Sequence, residues 1–491
     1  MVPDNDVDVE VLVRFTTRHR DPAMHVPATP LAVPSSTARR GLSDVVNALL
    51  NRTSVPTPFD FFIDGVRITG PLGRTISSLG ISLETTVTLE YAPCIRPPSD
   101  VTPAHANTPA SAACYTGTLL ARKLNGEMLV GAFDGSLRVV TVPLDLTDAG
   151  GVVVSTVPDA HAAPVTDVCA LRDRCVSSAK DGTVVVWGAE MPADVTVESL
   201  FHPPAPLCLA RLEGAHTDSG VEAVALAPGG DRVATAGADG RVALWRVDDT
   251  ALEKAARAAG DSKEAAAPTR KRKAAREWPS ADTADVSTLS AAATLSGHAA
   301  AVHGLAWSDA GGGNGALFSG SWDGTVRQWD AGAGALITHA AVGYAVSTAS
   351  ARDACDGEVP PLLAFGGARG AWGIWDPRMA PVSLSASAPS AASRLKTTGT
   401  AHASWVRRLA FQPNGECLVA SASLDGSVCI WDLRGLDVPL HTLHGIKPKS
   451  KTKNLTKDAA PPALGLAWLG SEAVAAAYAN GEIYAFPVTS Y

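Results

Sequence analysis

The segment Ser319–Asp330, SGSWDGTVRQWD, packs a small-residue strand, an Asp-Gly pair and a second strand ending on Trp into twelve residues. Asp-Gly between alternating apolar positions is among the strongest local signals for a tight hairpin, because glycine takes positive φ without steric penalty. Its core, Asp-Gly-x-apolar-x-x-Trp, occurs at Asp323-Gly324 with Trp329, and returns at Asp181-Gly182 with Trp187, Asp239-Gly240 with Trp245 and Asp425-Gly426 with Trp431. Three weaker copies keep the glycine and an apolar residue at the same offset: Asp134-Gly135 with Val140, Arg369-Gly370 with Trp375, and Asn480-Gly481 with Phe486.

The seven copies begin at 134, 181, 239, 323, 369, 425 and 480, so successive spacings are 47, 58, 84, 46, 56 and 55. A period of about 40 to 45 residues plus loop insertions, with Trp-Asp closing some copies (Trp329-Asp330, Trp375-Asp376, Trp431-Asp432), resembles the WD40 repeat, one four-stranded propeller blade per copy. The resemblance implies a mainly β chain with a seven-bladed propeller over residues 113–491. The last strand of that region ends near Phe486, and PVTSY is too short for a turn and a full outer strand. A bare edge offers unpaired backbone groups to other chains, so residues just before Tyr115 are expected to supply the missing strand.

Residues 7–93 follow another pattern. VDVEVLVRFTT alternates as a strand, MHVPATPLAVPS can pair with it, and GLSDVVNALLNR sets Leu42, Val45, Val46 and Leu49 on one helical face. FDFFIDGVRI reads as a hairpin around Asp64-Gly65 and TTVTLEYAP as a last strand. This order resembles the small ubiquitin-like (β-grasp, α+β) fold. The Pro-rich residues 94–112 read as a linker that holds the closing strand.

Composition narrows the function classes. A net charge of −8 argues against nucleic-acid binding over the whole surface, since phosphate affinity needs concentrated Lys and Arg. The eight Cys show no paired C-x-x-C or His at ligand spacing, which suggests neither zinc nor a disulfide framework and favours an intracellular compartment. The first residues, MVPDNDVDVEV, lack the basic and apolar regions of a secretory signal, and Leu464–Ala479 is too interrupted to span a bilayer.

Four copies carry a His before the first strand, a hydroxyl four residues before the Asp, the Asp and the Trp: His161, Ser177, Asp181, Trp187; His216, Thr235, Asp239, Trp245; His298, Ser319, Asp323, Trp329; His402, Ser421, Asp425, Trp431. These could be taken for Ser-His-Asp catalytic sets. A repeated polar set ending on an indole N–H instead fits buried hydrogen bonding within each blade, and in WD40 families the resemblance implies a tetrad pinning loops to strands. Copies one, five and seven lack the hydroxyl (Val130, Phe365, Ala476) and are expected to be less regular. Phosphate-loop, zinc-protease and nucleophile-elbow motifs are absent from the sequence, and neither an enzyme activity nor a cofactor is expected.

The 84-residue spacing contains residues 247–292, a polar, Ala-rich insertion expected to be disordered. Within it Arg270, Lys271, Arg272, Lys273 and Arg276 form a short run of the nuclear-localisation kind, with RNA contact as a second reading. A second basic stretch runs from Lys447 to Lys457 and reads equally as an rRNA contact or an exposed loop.

A ubiquitin-like module opening VLVRFTTR and ending LETTVTLEYAPCIRPP, followed by seven repeats with a basic insertion between the third and fourth, resembles the ribosome-biogenesis family of WD-repeat protein twelve. Its N-terminal module is shared with the Notchless family, whose members normally carry an eighth blade. The resemblance implies a scaffold of the PeBoW complex, with Pescadillo and block-of-proliferation protein homologues as partners, in large (60S) subunit assembly and pre-rRNA processing in the nucleolus and nucleoplasm. It also implies release from the pre-60S particle by midasin, an AAA ATPase whose metal-ion-dependent adhesion site takes one oxygen ligand for Mg²⁺ from the ubiquitin-like handle. The family motif places that carboxylate at Glu84, in the loop GISLETT; Glu90, in the strand, and Asp64, in the hairpin, are the alternatives. A substrate receptor of a ubiquitin ligase would also join a propeller to ubiquitin-related surfaces, but no adaptor-binding helical motif precedes residue 113.

Overall fold

A computed structural model describes residues 9–19, 21–52, 56–95, 102–105, 116–119, 127–141, 152–171, 174–188, 207–216, 219–252, 287–308, 315–352, 362–377, 395–397, 401–413, 417–445 and 460–488. The chain divides into two compact units, Met1–Ser99 with Trp431–His441 and Val488–Tyr491, and Asp100–Ile430 with Thr442–Pro487.

In the first unit β1 (Glu10–Thr16), β2 (Leu31–Pro34), β3 (Phe59–Ile63), β4 (Val66–Arg67) and β5 (Val87–Pro93) form one sheet in the order β2-β1-β5-β3-β4. β1 is antiparallel to β2 and parallel to β5, with Val13 opposite Val87, which is the β-grasp arrangement. Strict alternation along β1 buries Val11, Val13 and Phe15 and exposes their neighbours, the period-two signature of a strand with one covered face. The cover is α1 (Arg39–Leu49), whose Leu42 and Val46 are fully buried while Val45 and Leu49 pack partly buried on the same core.

Polar side chains fix the helix to the sheet. The Asn47 amide donates to Thr57 O at 2.7 Å and accepts from Thr57 N–H at 2.9 Å, and Ser43 Oγ accepts from Phe59 N–H at 3.1 Å. Asp60 is buried, a costly place for a lone carboxylate, and lies between Arg39 and Arg67 at 2.9 and 2.8 Å. Burial, reinforced by Asp60, pushes the Cys94 thiol up to about 12. A second helix, α2 (Leu72–Ser78), has no counterpart in the sequence reading. Its apolar signal is one i, i+4 pair, Leu72 and Ile76, too little periodicity to separate a two-turn helix from a loop.

The described residues of the second unit form seven sheets, antiparallel but for one added strand. Their first strands are Thr116–Leu119, Val165–Leu171, Val221–Leu226, Val302–Ser308, Val346–Arg352, Val406–Phe411 and Ala463–Leu469. Each touches the next, and the last touches the first, so they form the inner wall of a closed seven-bladed propeller. In the last sheet the outer strand comes from β6 (Thr102–His105), antiparallel to Ile483–Pro487 with His105 opposite Ile483, Pro103 opposite Tyr484 and Thr102 opposite Ala485.

The recurrent Asp-Gly has a packing reason beyond turn shape. Gly182 has φ +82°, and a Cβ on it would lie 2.8 Å from the His216 carbonyl oxygen of the next blade. At Gly370, with φ +70°, the distance to the His402 carbonyl oxygen would be 2.0 Å. These two turns are thus driven against the backbone of the following sheet, where only glycine fits, whereas at Gly324 the nearest atom would be 3.6 Å away and positive φ alone calls for glycine.

The insertion between the third and fourth hairpins departs from expectation at both ends. Residues 247–252 and 287–292 have defined places, whereas 253–286 lie outside the described residues, and with them Arg270, Lys271, Arg272 and Lys273. Arg174 of the second blade reaches Val247 O and Asp249 at the start of the segment. At its end Thr288–Leu289 pairs in parallel with Arg211–Leu212, giving the second blade a fifth strand. An exposed sheet edge accepted the returning chain, a choice invisible in a two-residue strand. Lys447 to Lys457 also lie outside the described residues.

The closing pairing is testable. A chain starting at residue 112 lacks β6, and with three registered positions lost at about 1 kcal/mol per backbone hydrogen bond it is expected to be roughly 2–4 kcal/mol less stable than one starting at residue 96. Denaturant unfolding compares the two, and light scattering should show self-association of the shorter chain.

Candidate functional site

The turn that enters β5 is held from both sides. Ile81 and Leu83 pack partly buried on the β-grasp core, Thr85 Oγ1 donates to Ser82 O at 2.9 Å, and the Glu84 N–H donates to Ser82 Oγ at 3.3 Å. Glu84 itself is exposed, and no described residue hydrogen-bonds or ion-pairs with its carboxylate. Glu90 differs: it is largely covered within β5 and lies 3.1 Å from Arg18. Asp64 is exposed but occupies the hairpin turn at φ +48°. Among the described residues no group of three or more His, Cys, Asp or Glu could hold a metal ion.

In the propeller, the repeated polar residues meet inside their blades. In the fourth blade His298 Nδ1 lies 2.8 Å from Asp323 Oδ2, Nε2 lies 2.7 Å from Ser319 Oγ, and the Trp329 indole donates to that Oγ at 2.8 Å. The second blade keeps His161 to Ser177 at 2.7 Å and Trp187 to Ser177 at 2.9 Å, but inserts Thr183: its hydroxyl is 2.6 Å from His161 Nδ1 and 2.6 Å from Asp181. The sixth blade uses Ser427 in the same way between His402 Nδ1, at 2.7 Å, and Asp425, while His402 Nε2 meets Ser421 at 2.7 Å. Trp431 is fully buried.

The third blade has Arg241 at the relay position, and there His216 Nδ1 stands 3.5 Å from Asp239, while Nε2 meets Thr235 at 3.0 Å and Trp245 donates to Thr235 at 2.9 Å. The relay hydroxyls Thr183 and Ser427 went unnoticed in the sequence, although Asp-Gly-Ser/Thr carries the signal. Ser177, Thr235, Ser319 and Ser421 are fully buried, so no substrate reaches these hydroxyls, and the first three already accept an indole N–H.

The imidazoles divide by charge. Burial pushes His161 down to about 4, against a weaker pull from Asp181. Burial also lowers His298, although the Asp323 carboxylate opposes it. Burial is the largest influence on His402 and alone would lower it, but the Asp425 carboxylate, 3.7 Å from Nδ1, and Cys429 together outweigh it and raise the ring to about 9.

At one end of the propeller channel the first strands and hairpin turns surround a cavity of about 260 Å³. Arg408 of the sixth blade, which lines the cavity, crosses to Asp167 of the second at 2.7 Å; Asp167 also accepts from Val224 N–H at 3.1 Å. Trp322 stands at the rim with its ring 4.2 Å from His303 and 5.9 Å from Trp405. Burial, followed by the cations Arg407, Lys180 and Arg408, pushes His303 down to about 3, so that it is neutral. The lining draws on all seven blades, and Phe133, Lys180 and Trp322 each stand immediately before a repeat's Asp-Gly.

Two measurements test the networks. Trp329→Phe removes one buried donor and is expected to cost about 1–3 kcal/mol in urea unfolding. For His161 the sign follows from a folded pKa below the unfolded value of 6.5: the unfolded state binds the proton first, so stability is present at pH 7 and falls as the pH drops towards 4. Between pH 7 and pH 5 this one ring should cost about 2 kcal/mol, a loss that His161→Gln removes from the stability profile.

Residues 11–76 match the NLE (NUC135) domain model, and residues 207–246, 290–330 and 393–432 match the WD domain, G-beta repeat. The chain is 34% identical over 446 residues to a ribosome biogenesis protein WDR12 homolog of Chlamydomonas reinhardtii, covering 89% of this chain and 90% of that protein. It is 26% identical over 439 residues to the rice (Oryza sativa) WDR12 homolog, 88% of each chain. It is 28% identical over 463 residues to ribosome biogenesis protein YTM1 of Scheffersomyces stipitis, covering 91% of this chain and 92% of that one. With a β-grasp unit, a seven-bladed propeller and similarity along nearly its whole length, the chain belongs to the WDR12/YTM1 family of ribosome biogenesis proteins.

Proposed function

We propose that this ribosome biogenesis factor is a non-catalytic scaffold of the PeBoW complex, acting on the large (60S) subunit precursor in the nucleolus and nucleoplasm. Pescadillo and block-of-proliferation protein homologues dock on the propeller, and midasin removes the factor by gripping its ubiquitin-like unit. The fully buried hydroxyls of the propeller networks favour a docking role over hydrolysis.

The observation that carries the handle is Glu84: an exposed carboxylate on a turn anchored by Ile81, Leu83 and Ser82, with no described partner competing for its oxygens. A magnesium ion held by the partner and short of one ligand needs a hard oxygen donor that is already positioned. Glu84 offers that at small reorganisation cost, whereas Glu90 would first have to leave Arg18.

In a pull-down with the midasin adhesion domain in Mg²⁺, Glu84→Gln is expected to abolish capture and Glu90→Gln to preserve it. Capture by the Glu84→Gln chain equal to the unsubstituted one would refute the handle assignment. Affinity purification from cell extract should bring down Pescadillo and the block-of-proliferation homologue with either variant.

A further inference from the structure

Strand β3 of the first unit is buried at every position from Phe59 to Ile63, whereas β1 in the same sheet alternates between buried and exposed. A strand covered on one face shows every second residue to water, so β3 must be covered on both. Phe59, Phe61 and Ile63 join the core beneath α1. Asp60 and Phe62, at 4% and 2% exposure, lie on the opposite face beside Ala92 of β5, the pairing partner of Asp60. On β1 that same face is open, with Leu12 45% exposed.

The cover at β3 comes from far along the sequence. The chain leaves the second unit at Ile430, contributes Trp431–His441 to the first, and returns at Thr442. A tight turn shapes this segment: the buried Asp432 carboxylate accepts from Arg434 N–H, Nε and Nη2 at 2.9, 2.9 and 2.6 Å, and Gly435 N–H donates to Asp432 O at 3.0 Å. That fork orients the Arg434 guanidinium, which lies 5.2 Å from the centre of the Phe62 ring, within cation–π range. Gly435 approaches most closely: a Cβ on it would stand 3.0 Å from Phe62 Cε1 and 3.4 Å from Gly65 O. Farther on, Leu436 is buried, and His441 Nε2 lies 3.3 Å from the Ile95 carbonyl oxygen, past the other end of β3.

We propose that Trp431–His441 is an intramolecular latch on the β-grasp unit. It clasps the sheet face opposite α1, with Arg434 and Gly435 seated on Phe62 and His441 at Ile95, and it holds residues 1–99 to the rest of the chain independently of the linker. The contact has the chemistry of a docking site, an apolar ring met by a preoriented cation and by backbone with no side chain in the way. While the latch is seated the Phe62 face is closed to other proteins, and a load on the unit is carried by the latch as well as by the linker. Glu84 takes no part in these contacts, so the latch and the handle stand or fall separately.

The test inserts the recognition sequence of a site-specific protease after Ser99 of the full chain and cuts it once the chain has folded. Cutting turns the contact into a bimolecular one and isolates the latch's own affinity, read by size-exclusion chromatography and analytical ultracentrifugation. The two pieces of the unsubstituted chain should still travel together. Gly435→Val, which drives a branched side chain into Phe62, and Arg434→Gln, which removes the cation and its fork, should each weaken the association about tenfold or more, while Glu84→Gln leaves it unchanged. Thermal unfolding before cutting verifies that each variant is folded, and Phe62→Leu, which removes the ring, replaces Gly435→Val if the latter is not. Separation of the pieces of the unsubstituted chain, or equally tight association in the folded variants at Arg434 and Gly435, would overturn the proposal.

Discussion

The propeller depends on the close approach of hairpin turns such as those at Gly135, Gly182 and Gly370 to the sheets that follow them. At Gly182 and Gly370 the turn lies so near the carbonyl of the next blade's histidine that no Cβ can be accommodated, and both residues hold positive φ. One glycine therefore satisfies two demands at once, the shape of its own hairpin and the fit to its neighbour. Because the first strands touch in an unbroken ring, a misfit at one junction would be passed round all seven. In the last sheet β6 fills the outer position from the other side of the repeat array.

The histidine whose carbonyl meets the turn also organises the polar interior of its blade. Its ring joins a strand hydroxyl to an aspartate or to a relay hydroxyl, and in three blades the tryptophan indole caps the same hydroxyl. Nearly complete satisfaction lets these groups be buried, since an unpaired donor or acceptor there would cost more than the network returns. The networks are not equivalent. His161 and His298 are driven towards the neutral form while His402 is held charged beside Asp425, so acid and alkali load different blades.

The two units differ in what they expose. The β-grasp unit carries its candidate contact on a turn locked by apolar neighbours, a point carboxylate that demands little reorganisation. The propeller has a concave mouth with exposed aromatics, joined by an ion pair that reaches from the second blade to the sixth. In the first case one residue in a local motif defines the chemistry; in the second it arises only where several blades converge.

The sequence alone determined the repeat count, the β-grasp strands and the buried polar sets, because hairpins, alternation and capping are local and leave fixed spacings in the chain. It determined Glu84 as a candidate only through resemblance, since an exposed carboxylate is physically ordinary in a sequence. Tertiary structure decided the rest. α2 was hidden by a pattern of two apolar residues, the fifth strand of the second blade depends on an edge that happened to be free, and Thr183 and Ser427 became relays only when the histidine ring was placed. Lys180 and Trp322 each stand just before a repeat's Asp-Gly, and His303 and Arg407 are each the second residue of a blade's first strand, so they recur at repeat positions, and ring closure sets them around one cavity. The repeat marks where blades meet, as at the Asp-Gly turns, but not which side chains gather at the channel mouth, because each blade supplies only a fraction of that group.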